Sequence, residues 1–270
     1  MVMAHGGTPE WNRHVADAVA PLAREVPTAV AYGMADPATL RAALDSLRAR
    51  GVQRVAVVRM FLSGESFLEQ TQYYLGLSET PPDHFIHMSH GGGVHETTTT
   101  PILHGMEVAT HFDGLLTSGE AGMISVQRVA ELSSDPAQES VLLVAHGMGD
   151  EGENQRVLAA MRSAADLIRT REFARVEIAT LREDWAAERV IAEADMRAFV
   201  RGETAEGRRV LVIPMRLAGF GPYAEVLAGL EYQAGDGLLP HPGISDWLRA
   251  TSIRVTCSAE WGSPMEACPR

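Results

Sequence analysis

The feature that most constrains this chain is a repeat. Met3-Ala4-His5-Gly6-Gly7 returns as Val144-Ala145-His146-Gly147-Met148, each time where an apolar run stops and a glycine turn begins. An amphipathic stretch follows each copy, with an asparagine near its start, Asn12 and then Asn154. A period of about half the chain implies two similar units rather than one continuous core. A histidine closing a short apolar strand lies where open α/β sheets place their ligand chemistry, outside the carboxyl ends of the strands.

The elements around the repeat alternate. In the first half Thr8-Pro9 begins a helix through Val15, Val19 and Leu22, Thr28 to Tyr32 reads as a strand, and Asp36-Pro37 begins a helix that stops at Gly51. Val55 to Val58 is apolar without alternation, as buried parallel strands are, and a helix over Phe67 to Leu75 follows the Ser63-Gly64-Glu65 turn. Ile102 to Phe112 reads as strand-like, and Ile124 to Leu132 as a helix. The second half repeats the plan with strands over Val141–Ala145, Val176–Leu181 and Val210–Met215, and helices over about 154–169 and 185–200. A short helix over Ile244–Leu248 and a last strand over Ile253–Val255 are expected at the end. The order is that of doubly wound parallel sheets, so the fold class is α/β with two Rossmann-like halves. Asp135-Pro136 is the expected boundary, giving residues 1–134 and 135–270.

Residues 78–100 break the pattern. Pro81-Pro82, His84, His87, His90 and His95, a triple glycine and the run Thr97 to Thr100 read as an inserted loop. Four histidines so close together make it a candidate metal-binding segment, although the spacing matches no closed zinc motif.

Charge narrows the partners. The net charge is −12 and all 23 cationic side chains are arginine, so a Schiff-base or P-loop lysine is excluded. Such a chain has little cationic surface with which to displace counterions from nucleic acid, and no apolar run reaches the roughly 20 residues of a membrane span. First-half strand one has only Met1 to Ala4 ahead of its histidine, which would also fit a removed export signal. Cys257 and Cys268 lie in the polar tail, as a disulfide of an oxidising compartment or as two thiols.

The Ala-His-Gly signature, the asparagine of the next helix, the strand ending Met60-Phe61-Leu62-Ser63-Gly64 and the duplication together resemble the class II tetrapyrrole chelatases, the sirohydrochlorin cobalto- and ferrochelatases of siroheme and cobalamin biosynthesis. The resemblance covers nearly the whole chain. It implies two chelatase-like halves facing a central cleft, in which a divalent metal such as cobalt or ferrous iron, or nickel or zinc, is inserted into sirohydrochlorin or a related tetrapyrrole. Carried over, it makes His5 the metal ligand and base, with His146 as its repeat. Glu65 becomes the assisting carboxylate, and Arg59 a partner for macrocycle carboxylates, with Arg216 as a further candidate. The family's glutamate falls at Gly33 in the first half, and Glu183 takes that place in the second if the register slips by one. The family's second histidine falls at about Ser66 and, in the repeat, at Pro222, so the loop histidines His84, His87, His90 and His95 become the expected supplementary ligands. The reading of a different class is a non-catalytic, exported metal- or tetrapyrrole-binding protein on the same scaffold. Family resemblance places the chain in the cytoplasm, and a removed signal peptide would place it outside.

Overall fold

A computed structural model of the 270-residue chain describes residues 1–85 and 98–268. His87, His90 and His95 therefore lie outside the described residues, and of the loop histidines only His84 is placed, exposed, beyond the third helix.

The chain forms two compact units, Met1–Leu115 with Ile244–Arg270, and Leu116–Gly243. In the first, β1 (Val2–Ala4), β2 (Val30–Tyr32), β3 (Arg54–Met60) and β4 (Glu107–Thr110) make one parallel sheet in the order β2-β1-β3-β4. The connections run through α1 (Pro9–Glu25), α2 (Pro37–Ala49) and the short α3 (Leu68–Tyr74). Both long helices start as the sequence specifies. The hydroxyl of Thr8 accepts the Trp11 N–H, the Asp36 carboxylate accepts the Thr39 N–H, and a proline follows each cap. Met3, Ala31, Leu40, Leu44, Leu47, Val55 and Val57 are buried in the core they close over.

The second unit is the same design. Its sheet, also parallel, has the order β6-β5-β7-β8, from β5 (Glu139–Ala145), β6 (Arg175–Thr180), β7 (Arg209–Pro214) and the two-residue β8 (Gln233–Ala234). It also holds α4 (Gly119–Leu132), α5 (Glu151–Arg169), α6 (Ala186–Ala205) and the single turn α7 (Tyr223–Val226). β5 is buried at every position, and after Glu139 and Ser140 its last five residues, Val141–Ala145, read as an unbroken apolar run. The α/β fold with two parallel-sheet halves is therefore as the sequence implies.

The structure differs from the sequence reading at β8, which the sequence does not announce, at the end of the chain and at the boundary between the units. The end of the chain holds no strand: Pro242–Ser258 is one helix, α8. Ile253 and Val255 favour strands intrinsically, but Ile244, Trp247, Leu248, Thr251, Ser252 and Val255 recur at helical spacing and are all buried. Burial of that face overrides the local preference. The units also divide elsewhere than at Asp135-Pro136. α4 packs within the second unit, where Gly122 faces Ala164 of α5 and Arg128 donates to the carbonyls of Gly237 and Pro240. α8 returns to the first unit, where Trp247 meets His111 edge-on and the Ser245 hydroxyl donates to the Ala18 carbonyl.

Candidate functional site

In each sheet the chain runs from the central strand to one side and then crosses back to the other, so β1/β3 and β5/β7 are topological switch points. Loops leave a switch point in opposite directions and open a crevice at the carboxyl edge. Both repeated histidines stand there.

In the first unit His5 follows β1, half-buried, with Nδ1 2.8 Å from the Gly6 carbonyl oxygen and its ring edge-on to Trp11. Asn12 accepts the Gly7 N–H at 3.0 Å, which ties the loop back to α1 and accounts for the repeated asparagine. Glu65 is exposed on the turn after β3, its N–H donating to the Ser63 hydroxyl at 3.2 Å. Arg59 is not placed to meet a ligand's carboxylates. It is 1% exposed, and its guanidinium donates to the carbonyls of His111, Gly64 and Ser66. Burial lowers its pKa to about 10. His111 is structural too. Its Nε2 accepts the Arg59 N–H at 2.9 Å, and burial, helped by the Arg59 charge, pushes its pKa down to about 4, so the ring is neutral. Together they hold the turn after β3 against the loop after β4. The two backbones meet so closely that a Cβ at Gly64 would lie 2.0 Å from the Phe112 carbonyl oxygen.

In the second unit the same histidine has acidic company. His146 follows β5, with Nδ1 2.8 Å from the Gly147 carbonyl oxygen, and Asn154 accepts the Met148 N–H at 3.2 Å. Gly147 has φ +81° and a Cβ there would lie 2.7 Å from that of Thr180, so glycine is required. The loop after β6 wraps the histidine: the N–H groups of Arg182 and Glu183 both donate to the His146 carbonyl, at 2.7 and 3.4 Å. That brings the Asp184 carboxylate to 3.2 Å and the Glu183 carboxylate to 3.9 Å from Nε2. Trp185 meets the imidazole edge-on, and a Cβ at Gly149 would lie 2.0 Å from its indole nitrogen.

Glu183 is held from behind. Its Oε1 takes an Arg216 guanidinium and lies 3.5 Å from the hydroxyl of Tyr223, a fully buried side chain whose pKa burial raises. Oε2 is the oxygen facing His146. Arg216 is thus committed to a protein carboxylate. Arg182 is likewise committed, to Gly149 and Glu151 across the loop after β5.

The orientation of the imidazole sets what the cluster can do. A carbonyl only accepts, so the bond at Nδ1 requires the proton there and leaves Nε2 with a lone pair in the neutral ring. Nε2 faces two carboxylate oxygens, at 3.2 and 3.9 Å. Three electron-rich atoms directed at one another require a cation among them, either a proton or a metal ion. Two ligands each about 2.1 Å from one metal and cis to each other stand about 3 Å apart, and the His146–Asp184 separation is 3.2 Å. Among the described residues no group of three or more His, Cys, Asp or Glu side chains is disposed to hold a metal ion outright. The arrangement is an open one.

Of the residues singled out in the sequence, His146 and Glu183 are thus adjacent. The sequence does not single out Asp184, Arg182, Trp185 or Tyr223; the charged run Arg182-Glu183-Asp184 just after β6 is the signal that points to the first two. His241 caps α8, its Nδ1 accepting the Gly243 N–H at 3.0 Å. Cys257 and Cys268 form a disulfide, with Cα atoms 5.5 Å apart.

Comparison with solved structures shows what the fold is similar to. No family model and no curated protein matches the sequence. Among solved structures, SirB from Bacillus subtilis with Fe3+ matches over 96% of this chain and 95% of its own, with a TM-score of 0.63 and 10% identity. The chain has a chelatase-like fold. The sirohydrochlorin chelatase SirB from Bacillus subtilis subspecies spizizenii, in complex with cobalt, matches over the same shares with a TM-score of 0.63 and 9% identity. DR2241 from Deinococcus radiodurans, a multi-domain protein with structural similarity to chelatases and two additional novel domains, matches over 99% of this chain with a TM-score of 0.58 and 20% identity. This chelatase-like chain spans 56% of DR2241's length. Among the described residues no helix is long and apolar enough to cross a membrane.

Proposed function

We propose that this chain inserts a divalent metal, cobalt or ferrous iron, into sirohydrochlorin or a related tetrapyrrole, and that the second unit does the chemistry. The observation that carries this reading is the imidazole Nε2 of His146 facing the carboxylates of Asp184 and Glu183 at a switch point. Insertion exchanges one M2+ for two pyrrole N–H protons. The incoming metal, a substrate, is held by Nε2 and a carboxylate oxygen. The same groups then accept the protons that the macrocycle gives up. An open ligand set suits a metal in transit, because a closed one would keep it. His5 and Glu65 occupy the corresponding edge of the first unit and are a second candidate pair.

The test follows absorbance during incubation with sirohydrochlorin and Co2+ or Fe2+. Acceleration over the uncatalysed rate, lost in His146→Ala and in Asp184→Asn, is the expected result. Loss in His5→Ala alone would move the site to the first unit, and no acceleration at all would overturn the reading.

A non-catalytic metal- or tetrapyrrole-binding role is favoured by one observation, the Cys257–Cys268 disulfide, since such bonds persist in oxidising compartments. It predicts metal that co-purifies with the protein and no turnover.

A further inference from the structure

The two units differ in one coordinated way. The strand pairings make Met60 and Met215 equivalent, each following the residue opposite the central strand's penultimate position, so Phe61 of the first unit stands where Arg216 stands in the second. On the neighbouring loop the first unit has Gly33-Met34-Ala35 where the second has Leu181-Arg182-Glu183. The carboxylate and the guanidinium that grips it are thus present together in one unit and replaced together in the other. The helix after the turn adds a third member, with Tyr223 in α7 where Leu68 begins α3.

The grip is built for. Gly221, at φ +67°, passes so close to the guanidinium that a Cβ would stand 2.8 Å from Arg216 Nε and 2.9 Å from Cζ. The Arg216 side chain also lies over the Tyr223 ring, 5.9 Å from its centroid. Two donors therefore converge on Oε1 of Glu183, and only Oε2 is turned to His146.

We propose that Arg216 is a positioning residue that keeps Glu183 from closing on the metal, so that the second unit passes its cation on instead of storing it. This rests on the reading of His146 and Asp184 as the metal-holding pair. A guanidinium on one carboxylate oxygen prevents bidentate coordination, and a fixed positive charge one residue from the site weakens its hold on any dication. A transfer site gains from both, because a metal bound as tightly as three protein ligands allow would leave slowly.

The direction of the effect separates this role from a structural one. Removing a brace that merely maintains the fold weakens binding, whereas removing this one strengthens it. The full chain is titrated with CoCl2 alone, and binding is followed in the cobalt visible spectrum and by calorimetry. Arg216→Met is expected to bind Co2+ at least about tenfold more tightly, the factor that about 1.4 kcal/mol of lost repulsion and freed ligand would give. Its cobalt spectrum should also shift as Glu183 enters the coordination sphere. Arg216→Lys, which keeps the charge, should stay near the wild-type affinity, and Tyr223→Phe should tighten binding by a smaller factor. In the chelation assay Arg216→Met should lower kcat without raising KM for the metal. If Arg216→Met does not fold, Tyr223→Phe decides the question by the sign of its effect. Co2+ binding that His146→Ala abolishes, but that Arg216→Met and Tyr223→Phe leave unchanged or weakened, overturns this inference and leaves the proposed function standing. Wild-type protein that binds no Co2+ overturns both.

Discussion

Glu203 shows what a carboxylate does here when it is not at the carboxyl edge. It is 3% exposed on α6, and its oxygens accept from the Ser140 hydroxyl and Arg208 Nε, each at 2.6 Å, and from Arg175 at 3.1 Å. Burial on its own would raise its pKa, but the hydrogen bonds from Arg208, Ser140 and Arg175 outweigh burial and hold it below the usual carboxylate value. A depressed folded-state pKa contributes stability that is present above the unfolded value and is lost as pH falls through the folded one. Glu203→Gln is therefore expected to cost about 2 kcal/mol at neutral pH, since it removes the charge that strengthens the hydrogen bonds from Ser140, Arg208 and the half-exposed Arg175. The penalty should shrink as the pH drops below the unfolded glutamate value of about 4.3. Urea unfolding of wild type and variant at neutral and acid pH measures both, and a penalty that does not change with pH would refute the assignment. The contrast with Glu183 is instructive. Glu203 has every oxygen satisfied by donors and is structural, whereas Glu183 turns one oxygen to the imidazole Nε2 of His146.

At the scale of elements, α8 tests how far local preference can be trusted. Its second half carries β-branched residues and reads as a strand, yet the buried positions from Ile244 to Val255 follow a helical stripe. Arg254 is exposed on that helix, with only a 3.4 Å ion pair to Asp113. Arg254→Ala should therefore be close to neutral, whereas Arg254→Pro should destabilise by about 3 kcal/mol by removing a helical hydrogen bond. Equal melting temperatures for the two variants would argue against a continuous helix. The same elements show what sequence patterns carry and what they do not. The central strands of both sheets are legible because they are buried on both faces, and α1 and α2 because their caps are written in the sequence, whereas the exposed two-residue β8 leaves no apolar signal. His146 was legible because it is repeated. Asp184 was not, because its approach to His146 depends on the loop after β6 wrapping one carbonyl with two N–H groups, which no spacing announces. Arg59 is hidden from sequence patterns for a related reason. An arginine near a strand's end looks available until its donors are traced to three backbone carbonyls.

At the scale of the whole molecule, the chain leaves the first unit at Leu115 and returns to it at Ile244. Each unit has its own buried cluster, one around Met3, Leu44 and Val57, the other around Leu142, Val212 and Tyr223. Units with separate cores unfold as separate cooperative steps. The Cys257–Cys268 bond belongs wholly to the first unit and closes the tail onto the end of α8. Arg249 of that helix also binds Glu25 of α1 and Glu266 of the tail, each at 3.1 Å. Closing so short a loop restricts the unfolded chain by up to about 3 kcal/mol, and that constraint is felt only where the loop unfolds. Calorimetry at neutral pH should therefore show two transitions in the oxidised protein. A dithiol reductant, or the paired Cys257→Ser and Cys268→Ser substitutions, should lower one of them and leave the other in place. Saturating Co2+ should raise the transition that reduction leaves untouched, because His146, Asp184 and Glu183 all lie in the second unit. If cobalt raises the reduction-sensitive transition instead, the metal is bound in the first unit, and His5 becomes the histidine to pursue.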